Sequence, residues 1–115
     1  MLNADNRLRK RKDFAFIYRR GKSMAAKNVA MNYLKVKNDE LLIGFSASKK
    51  VGNAVTRNKV KRLMRECVRH SIENIPSGHR MVFNARVRSA DASYDEISKD
   101  INYLIGKLNN VDTGN

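Results

Sequence analysis

The segment Ala54–Glu73 constrains this chain more than any other, because it folds sensibly only as a two-faced helix. On a helical wheel with Arg57 at the origin, Lys61, Arg65 and Arg69 fall at about 40°, 80° and 120°. Asn58 and Arg62 join that arc near 100° and 140°. Val60, Met64 and Cys67 gather on the apolar arc, with Leu63 beside them. A helix of this kind is stabilised chiefly by packing its apolar arc, so the rest of the chain must supply a surface to receive it.

The flanking sequence supplies a sheet. Asn28–Lys37 reads as a strand, Asn38-Asp39-Glu40 as a turn, and Leu41–Ser48 as a second strand in which Ile43, Phe45 and Ala47 alternate with Gly44, Ser46 and Ser48. After the helix, Pro76-Ser77-Gly78 marks a turn, and Arg80–Val87 alternates Met81, Phe83, Ala85 and Val87 with smaller or polar neighbours. A short helix over Asp13–Arg20, stopped at Gly21, precedes the strands. A longer one over Tyr94–Leu108 follows them, opened by a Ser93/Glu96 capping box and striped by Ile97, Ile101, Leu104, Ile105 and Leu108. The order is α-β-β-α-β-α, with room for one extra short strand in the first half. It predicts an α+β sandwich with helices on one sheet face. No repeat, low-complexity tract or linker divides residues 1–115, so a single domain is expected.

Charge narrows the function. The 115 residues hold 24 Lys+Arg and 11 Asp+Glu, a formal net charge of +13. Cations crowd the first third (Arg7 to Lys27) and the middle (Lys49 to Arg69), where Glu66 is the one acid. From Asp91 onward the sign inverts, with five acids against Lys99 and Lys107. Segregation of this sort implies a dedicated anion face and a polyanion partner. No apolar run approaches the roughly 18 residues needed to span a bilayer, which argues against a membrane role. Met1–Lys12 is polar and basic and leads into no signal-type apolar run, and the lone Cys67 cannot form an intrachain disulfide. A cytoplasmic location is the expectation.

Three cations on a helix are ordinarily solvated surface. Here the arc is longer and barely opposed, and like charges four residues apart cost a few tenths of a kcal/mol each unless an anion relieves them. Arginine forks suit phosphate, and Asn58 can reach a base edge or a sugar. Upstream, Ser48-Lys49-Lys50-Val51-Gly52-Asn53 turns into the helix N-terminus, where free amides favour phosphate. The spacing is not that of a P-loop.

The run Ser48-Lys49-Lys50-x-Gly52-Asn53-Ala54-Val55-x-Arg57-Asn58-x-x-Lys61-Arg62-x-x-Arg65-Glu66 closely resembles the signature of the bacterial ribonuclease P protein component. The likeness extends to Asp13-Phe14, to Arg20-Gly21-Lys22-Ser23, to Gly44-x-Ser46-x-Ser48 and to Ala85-Arg86. It implies a two-layer α/β sandwich whose mixed sheet contains a left-handed β-α-β crossover, against the usual hand. It also implies an RNA-facing helix bearing Arg-Asn-Arg, which here reads Arg57-Asn58-Lys59, so the third position keeps its charge without the bidentate fork. Lys49, Lys50, Asn53, Arg57, Asn58, Lys59, Lys61, Arg62 and Arg65 are the RNA-binding residues expected on this basis.

The resemblance further implies a cleft between the first helix and the sheet that receives the single-stranded 5′ leader of precursor tRNA. Phe14, Tyr18, Asn32, Ser46, Ser48 and Arg86 are its expected lining. Phe14 and Tyr18 share a helix face and suit base stacking, although core packing is the competing role for both. For Phe16 and Ile17, core packing is the expectation. Where the family often has tyrosine this chain has Asn32, and the adjacent Tyr33 must point to the opposite sheet face.

Nothing in the chain reads as a protein active site. His70 and His79 lack metal-ligand spacing, Cys67 sits on the apolar arc, and Asp95-Glu96 suit capping. The resemblance assigns the chemistry to an RNA subunit, with Mg²⁺ held mainly by that RNA and precursor tRNA as substrate. The protein would be an accessory subunit, inactive alone and monomeric when free. A structural or ribosomal RNA-binding protein and a nucleoid-type DNA-binding protein are the rival readings. Met1–Asn6 and Val111–Asn115 are polar ends expected to fray.

Overall fold

A computed structural model describes residues 6–113, with side chains through Val111. Helix α1 spans Arg11–Arg20, followed by strands β1 (Lys22–Ala25), β2 (Val29–Lys35) and β3 (Leu41–Ala47). Helix α2 covers Ala54–Ser71, β4 covers His79–Ala85, and α3 covers Tyr94–Thr113. Short 3₁₀ turns at Lys49–Val51, Ile72–Asn74 and Val87–Asp91 join the longer elements. Among the described residues no helix is long and apolar enough to cross a membrane.

The four strands form one mixed sheet in the order β1-β2-β4-β3. Strand β4 lies antiparallel to β2 and parallel to β3, so the chain crosses from β3 through α2 to reach β4. Alternation along the strands sorts the two faces. Val29, Met31, Tyr33, Ile43, Met81 and Phe83 point to one side and pack under Val60, Met64, Cys67 and Val68 of α2 and Ile97, Ile101, Leu104 and Leu108 of α3. This is the main core, and it covers the apolar arc of α2 as that arc requires.

Two helices do lie on one sheet face, but α1 departs from the expectation that all of them would. Its Ile17 is buried with Leu8 and Val82 on the opposite face, beside Phe14, Leu34 and Leu42. The physical reason is that Leu34, Leu42 and Val82 make the second face apolar toward one end, and a short helix covers them. Arg80 secures it there, pairing with Glu40 at 2.7 Å and reaching Asp13 of α1 at 4.0 Å. The expected extra strand is β1, which pairs with β2 from Lys22↔Tyr33 to Ala25↔Ala30.

Three local expectations change. Phe16 is 44% exposed rather than buried, with the Arg19 guanidinium 5.7 Å over its ring, because the buried side of α1 centres on Ile17. Helix α3 continues past Leu108 to Thr113, so the fraying expected from Val111 does not hold through Thr113. At the other end, Asn6 Nδ2 donates to Leu41 O at 2.9 Å. The remainder of both predicted frays, Met1–Asp5 and Gly114–Asn115, lies outside the described residues. The Ser93/Glu96 box forms as expected, with Glu96 N donating to Ser93 Oγ at 3.1 Å and Ser93 N to Glu96 Oε1 at 2.9 Å.

Candidate nucleic-acid interface

Helix α2 begins at a turn that only glycine fits comfortably. Gly52 has φ +155°, and a Cβ there would stand 3.0 Å from Thr56 Cβ. Asn53 then caps the helix, its Oδ1 accepting from Thr56 N at 2.9 Å. Asn53, expected as an RNA contact, therefore has a structural duty, and its amide group remains at an exposed position. Lys49 and Lys50 are exposed on the preceding turn, and Ser48 stands at its start, beyond the end of β3.

Along the helix the cations divide by environment. Asn58, Lys59 and Arg62 are exposed, whereas Arg57, Lys61 and Arg65 are half-buried against the fold. The Arg65 guanidinium lies 5.5 Å over the Phe45 ring, and Phe45 stacks on Phe83 with centroids 6.0 Å apart. That contact holds Arg65 in place without neutralising it. Arg57 Nε is buried without a hydrogen-bond partner. Arg69, the last rung of the ladder, differs from the others because Glu66 accepts its guanidinium hydrogen bond. The bond from Arg69 holds the Glu66 carboxyl below its ordinary range. His70 Nε2 lies 3.3 Å from the same carboxylate. The uncompensated part of the arc thus ends at Arg65.

Asn32 and Ser46, which the resemblance places at a cleft, lie with Gly44 on the opposite sheet face. Gly44 has no side chain because the Phe14 ring fills that space: a Cβ there would lie 2.5 Å from Phe14 Cζ. Asn32, Val82 and Gly44 form one row across β2, β4 and β3, and Ala30, Asn84 and Ser46 form the next. Tyr18 Oη donates to Asn84 Oδ1 at 2.6 Å, and Asn84 Nδ2 donates to Asn32 Oδ1 at 2.8 Å. The Tyr18 ring remains 45% exposed, so its hydroxyl is anchored while much of the ring is open. Tyr33 is buried in the core on the other face, as the one-residue offset demands. Arg86 lies past the end of β4, with Nη1 donating to Ala26 O at 2.7 Å.

The two sets meet at the sheet edge. Strand β3 is one of the two edge strands, and Leu8 N donates to Ile43 O at 3.0 Å along its free side. Arg7, Phe14, Gly44, Lys61 and Arg65 line a hollow of about 110 Å³ there. It joins the α1 face to the α2 cations around a single strand. Sequence reasoning missed Arg7 and Asn84 as parts of this site. The polar residue at 84, between Phe83 and Ala85 in the apolar half of its strand, was the available signal for one, and only the fold brings the other to the edge.

A basic helix beside a polar sheet face with an exposed tyrosine ring, on a small α+β domain, is the arrangement of an RNA-binding protein. The chain belongs to the ribonuclease P protein family, whose family model, described as Ribonuclease P, matches residues 2–109. It is 45% identical over 104 residues to the ribonuclease P protein component of Clostridioides difficile, covering 90% of this chain and 91% of that protein. The corresponding protein of Alkaliphilus oremlandii is 40% identical over 112 residues, covering 97% and 98%. Among solved structures, the ribonuclease P protein of Staphylococcus aureus superposes with a TM-score of 0.81 at 31% identity, over 90% of this chain and 94% of that one. The protein from Thermotoga maritima gives 0.80 at 28%, over 88% and 96%. The chain is accordingly an accessory protein subunit of a tRNA-processing endoribonuclease, working with ribonuclease P RNA and a tRNA substrate.

Proposed function

We propose that this subunit holds the catalytic RNA along the α2 cations and the 5′ leader of precursor tRNA in the cleft beneath α1, while the RNA partner performs the phosphodiester hydrolysis. Lys49, Lys50, Arg57, Asn58, Lys59, Lys61, Arg62 and Arg65 contact the RNA. Asn53 fixes the start of their helix and offers its amide. Phe14 and Tyr18 stack leader bases over a floor of Asn32 and Ser46, with Ser48 and Arg86 at its margins. Hydrogen bonding through Asn32 takes the place of an aromatic ring at that position.

The observation that carries this reading is the hollow at the β3 edge, where Phe14 from one face and Lys61 and Arg65 from the other border the same space. An RNA strand passing that edge meets a stacking ring and two phosphate-binding groups at once. Among the described residues no three His, Cys, Asp or Glu side chains converge as a metal-ligand set. The Mg²⁺ that the hydrolysis needs is held mainly by the RNA subunit. Free in the cytoplasm, the protein is a monomer that cleaves nothing by itself.

Reconstitution with the cognate catalytic RNA and a leader-bearing precursor tRNA tests this directly. The protein should stimulate 5′ cleavage at low Mg²⁺ and prefer precursor over mature tRNA. Cleavage by the purified protein without RNA, or equal binding to duplex DNA, would overturn it.

A further inference from the structure

The acidic count of the last third conceals a second basic surface. Lys27, Arg86, Arg88, Lys99, Asp100 and Tyr103 line an open hollow of about 720 Å³ between the β1–β2 turn, the end of β4 and α3. Lys99, Tyr103 and Lys107 follow at four-residue intervals and so form one stripe of α3. Tyr103 is 54% exposed, with the Lys107 ammonium 5.5 Å from its ring centroid. Among the described residues neither Asp100 nor Glu96 forms an ion pair with these cations, although Arg88 and Lys27 lie near enough to add to the lowering of the Glu96 pKa by its bonds to Ser93. Asp100 Oδ2 accepts from Asn28 N at 2.6 Å, and Glu96 Oε1 from Ser93 N at 2.9 Å. Lys27, Arg88 and Lys99 are exposed and make no ion pair among the described residues.

An open ring among unpaired cations is the arrangement that binds single-stranded nucleic acid with little sequence preference. Although α3 and α1 cover opposite faces of the sheet, the end of β4 lies between this hollow and the cleft. Arg86 follows Asn84 by two residues along the chain, and its guanidinium already lies against Ala26 at the rim of the hollow. We infer that this face binds the phosphodiester backbone of the distal part of a long 5′ leader, continuing the path that starts in the cleft, with Tyr103 as a stacking platform. The inference rests on the leader-binding function proposed above and extends it to a surface on α3.

The test uses the reconstituted holoenzyme and two precursor tRNAs, one with a leader just long enough to fill the cleft and one longer by several nucleotides. The triple variant Lys27→Ala, Arg88→Ala, Lys99→Ala should weaken binding of the long-leader substrate at least fivefold. It should also flatten the salt dependence by about 2 in log–log slope, at roughly 0.7 per lost single-strand phosphate contact. Tyr103→Ala should weaken the same substrate about fivefold, with Tyr103→Phe restoring it. Short-leader binding and affinity for the catalytic RNA alone should stay at wild-type values. Unchanged long-leader binding, equal weakening of both substrates, or a loss confined to the catalytic RNA would each overturn the inference. Wild-type protein failing to stimulate any precursor cleavage would instead overturn the underlying function, so the two failures are separable.

Discussion

Replacing Gly44 by alanine isolates the role of Phe14 without touching a single polar group. The new Cβ would stand 2.5 Å from Phe14 Cζ and 2.7 Å from Cε2. Carbon atoms in ordinary contact sit about 3.5–4.0 Å apart, so the ring must withdraw by about 1 Å. Leu8 Cδ2, at 3.2 Å from the same Cβ, limits how far the β3 edge can yield instead. Overpacking costs about 1–3 kcal/mol in a closed core, and the half-exposed Phe14 places this case near about 1 kcal/mol. A displaced stacking ring forfeits about 1–3 kcal/mol of base contact, or roughly five- to 150-fold in leader affinity. Urea denaturation reads the first quantity, and titration with leader-bearing and leaderless tRNA reads the second. Gly44→Ala should lower affinity for the leader-bearing substrate while leaving the leaderless one unchanged. The double variant Phe14→Ala, Gly44→Ala should be no less stable than Phe14→Ala alone, since the clash is gone, and should bind leader no better than it. Equal loss on both substrates, or intact leader discrimination in a destabilised Gly44→Ala protein, would refute the assignment of Phe14 as a platform.

Arg62→Ala should reduce the log–log salt slope of RNA binding by roughly 0.7–0.9, the signature of one lost phosphate contact, with folding stability unaltered because Arg62 is exposed. Asn53→Ala should lower stability by about 1 kcal/mol through loss of the α2 cap, and Asn53→Ser should recover most of it, read as urea midpoints. Glu66, depressed by its hydrogen bond from Arg69, contributes stability that is present above the ordinary carboxylate range and fades as pH falls through its lowered value. Wild type should therefore exceed Arg69→Met slightly at neutral pH, and their urea midpoints should converge in acid.

Periodicity made α2, α3 and the three longer strands legible, since each buries one face and the buried positions recur at that element's own period. Ile17 and Phe16 show where this stops. They are neighbours on a short helix, and which of them is buried depends on where α1 docks, which is settled by Leu34, Leu42 and Val82 on strands far along the chain. Strand β1 is four residues long with only Met24 partly buried, too little pattern to locate. The signature around Arg57 gave the basic helix directly. The Tyr18–Asn84–Asn32 chain of hydrogen bonds did not announce itself, because it requires the β2–β4 register and the α1 docking together. Cys67, placed on the apolar arc, is indeed buried, and burial pushes its thiol pKa up.

Strand β4 occupies an inner position of the sheet although it is the last strand to be synthesised. Until His79–Ala85 leaves the ribosome, β3 has no partner strand and Asn84 is not there to hold Tyr18 or Asn32. A nascent chain ending before His79 already displays every cation of α2, but it lacks Met81, Phe83 and all of α3 from the core that α2 joins, and Val82 and Asn84 from the cleft floor. Such a fragment would offer nucleic acid a charged, unfolded segment of no defined shape. Long-range pairing of this kind delays folding until most of the chain exists. Recognition of one RNA over another is therefore acquired in the closing stage of translation, when a single seven-residue strand is inserted between two others.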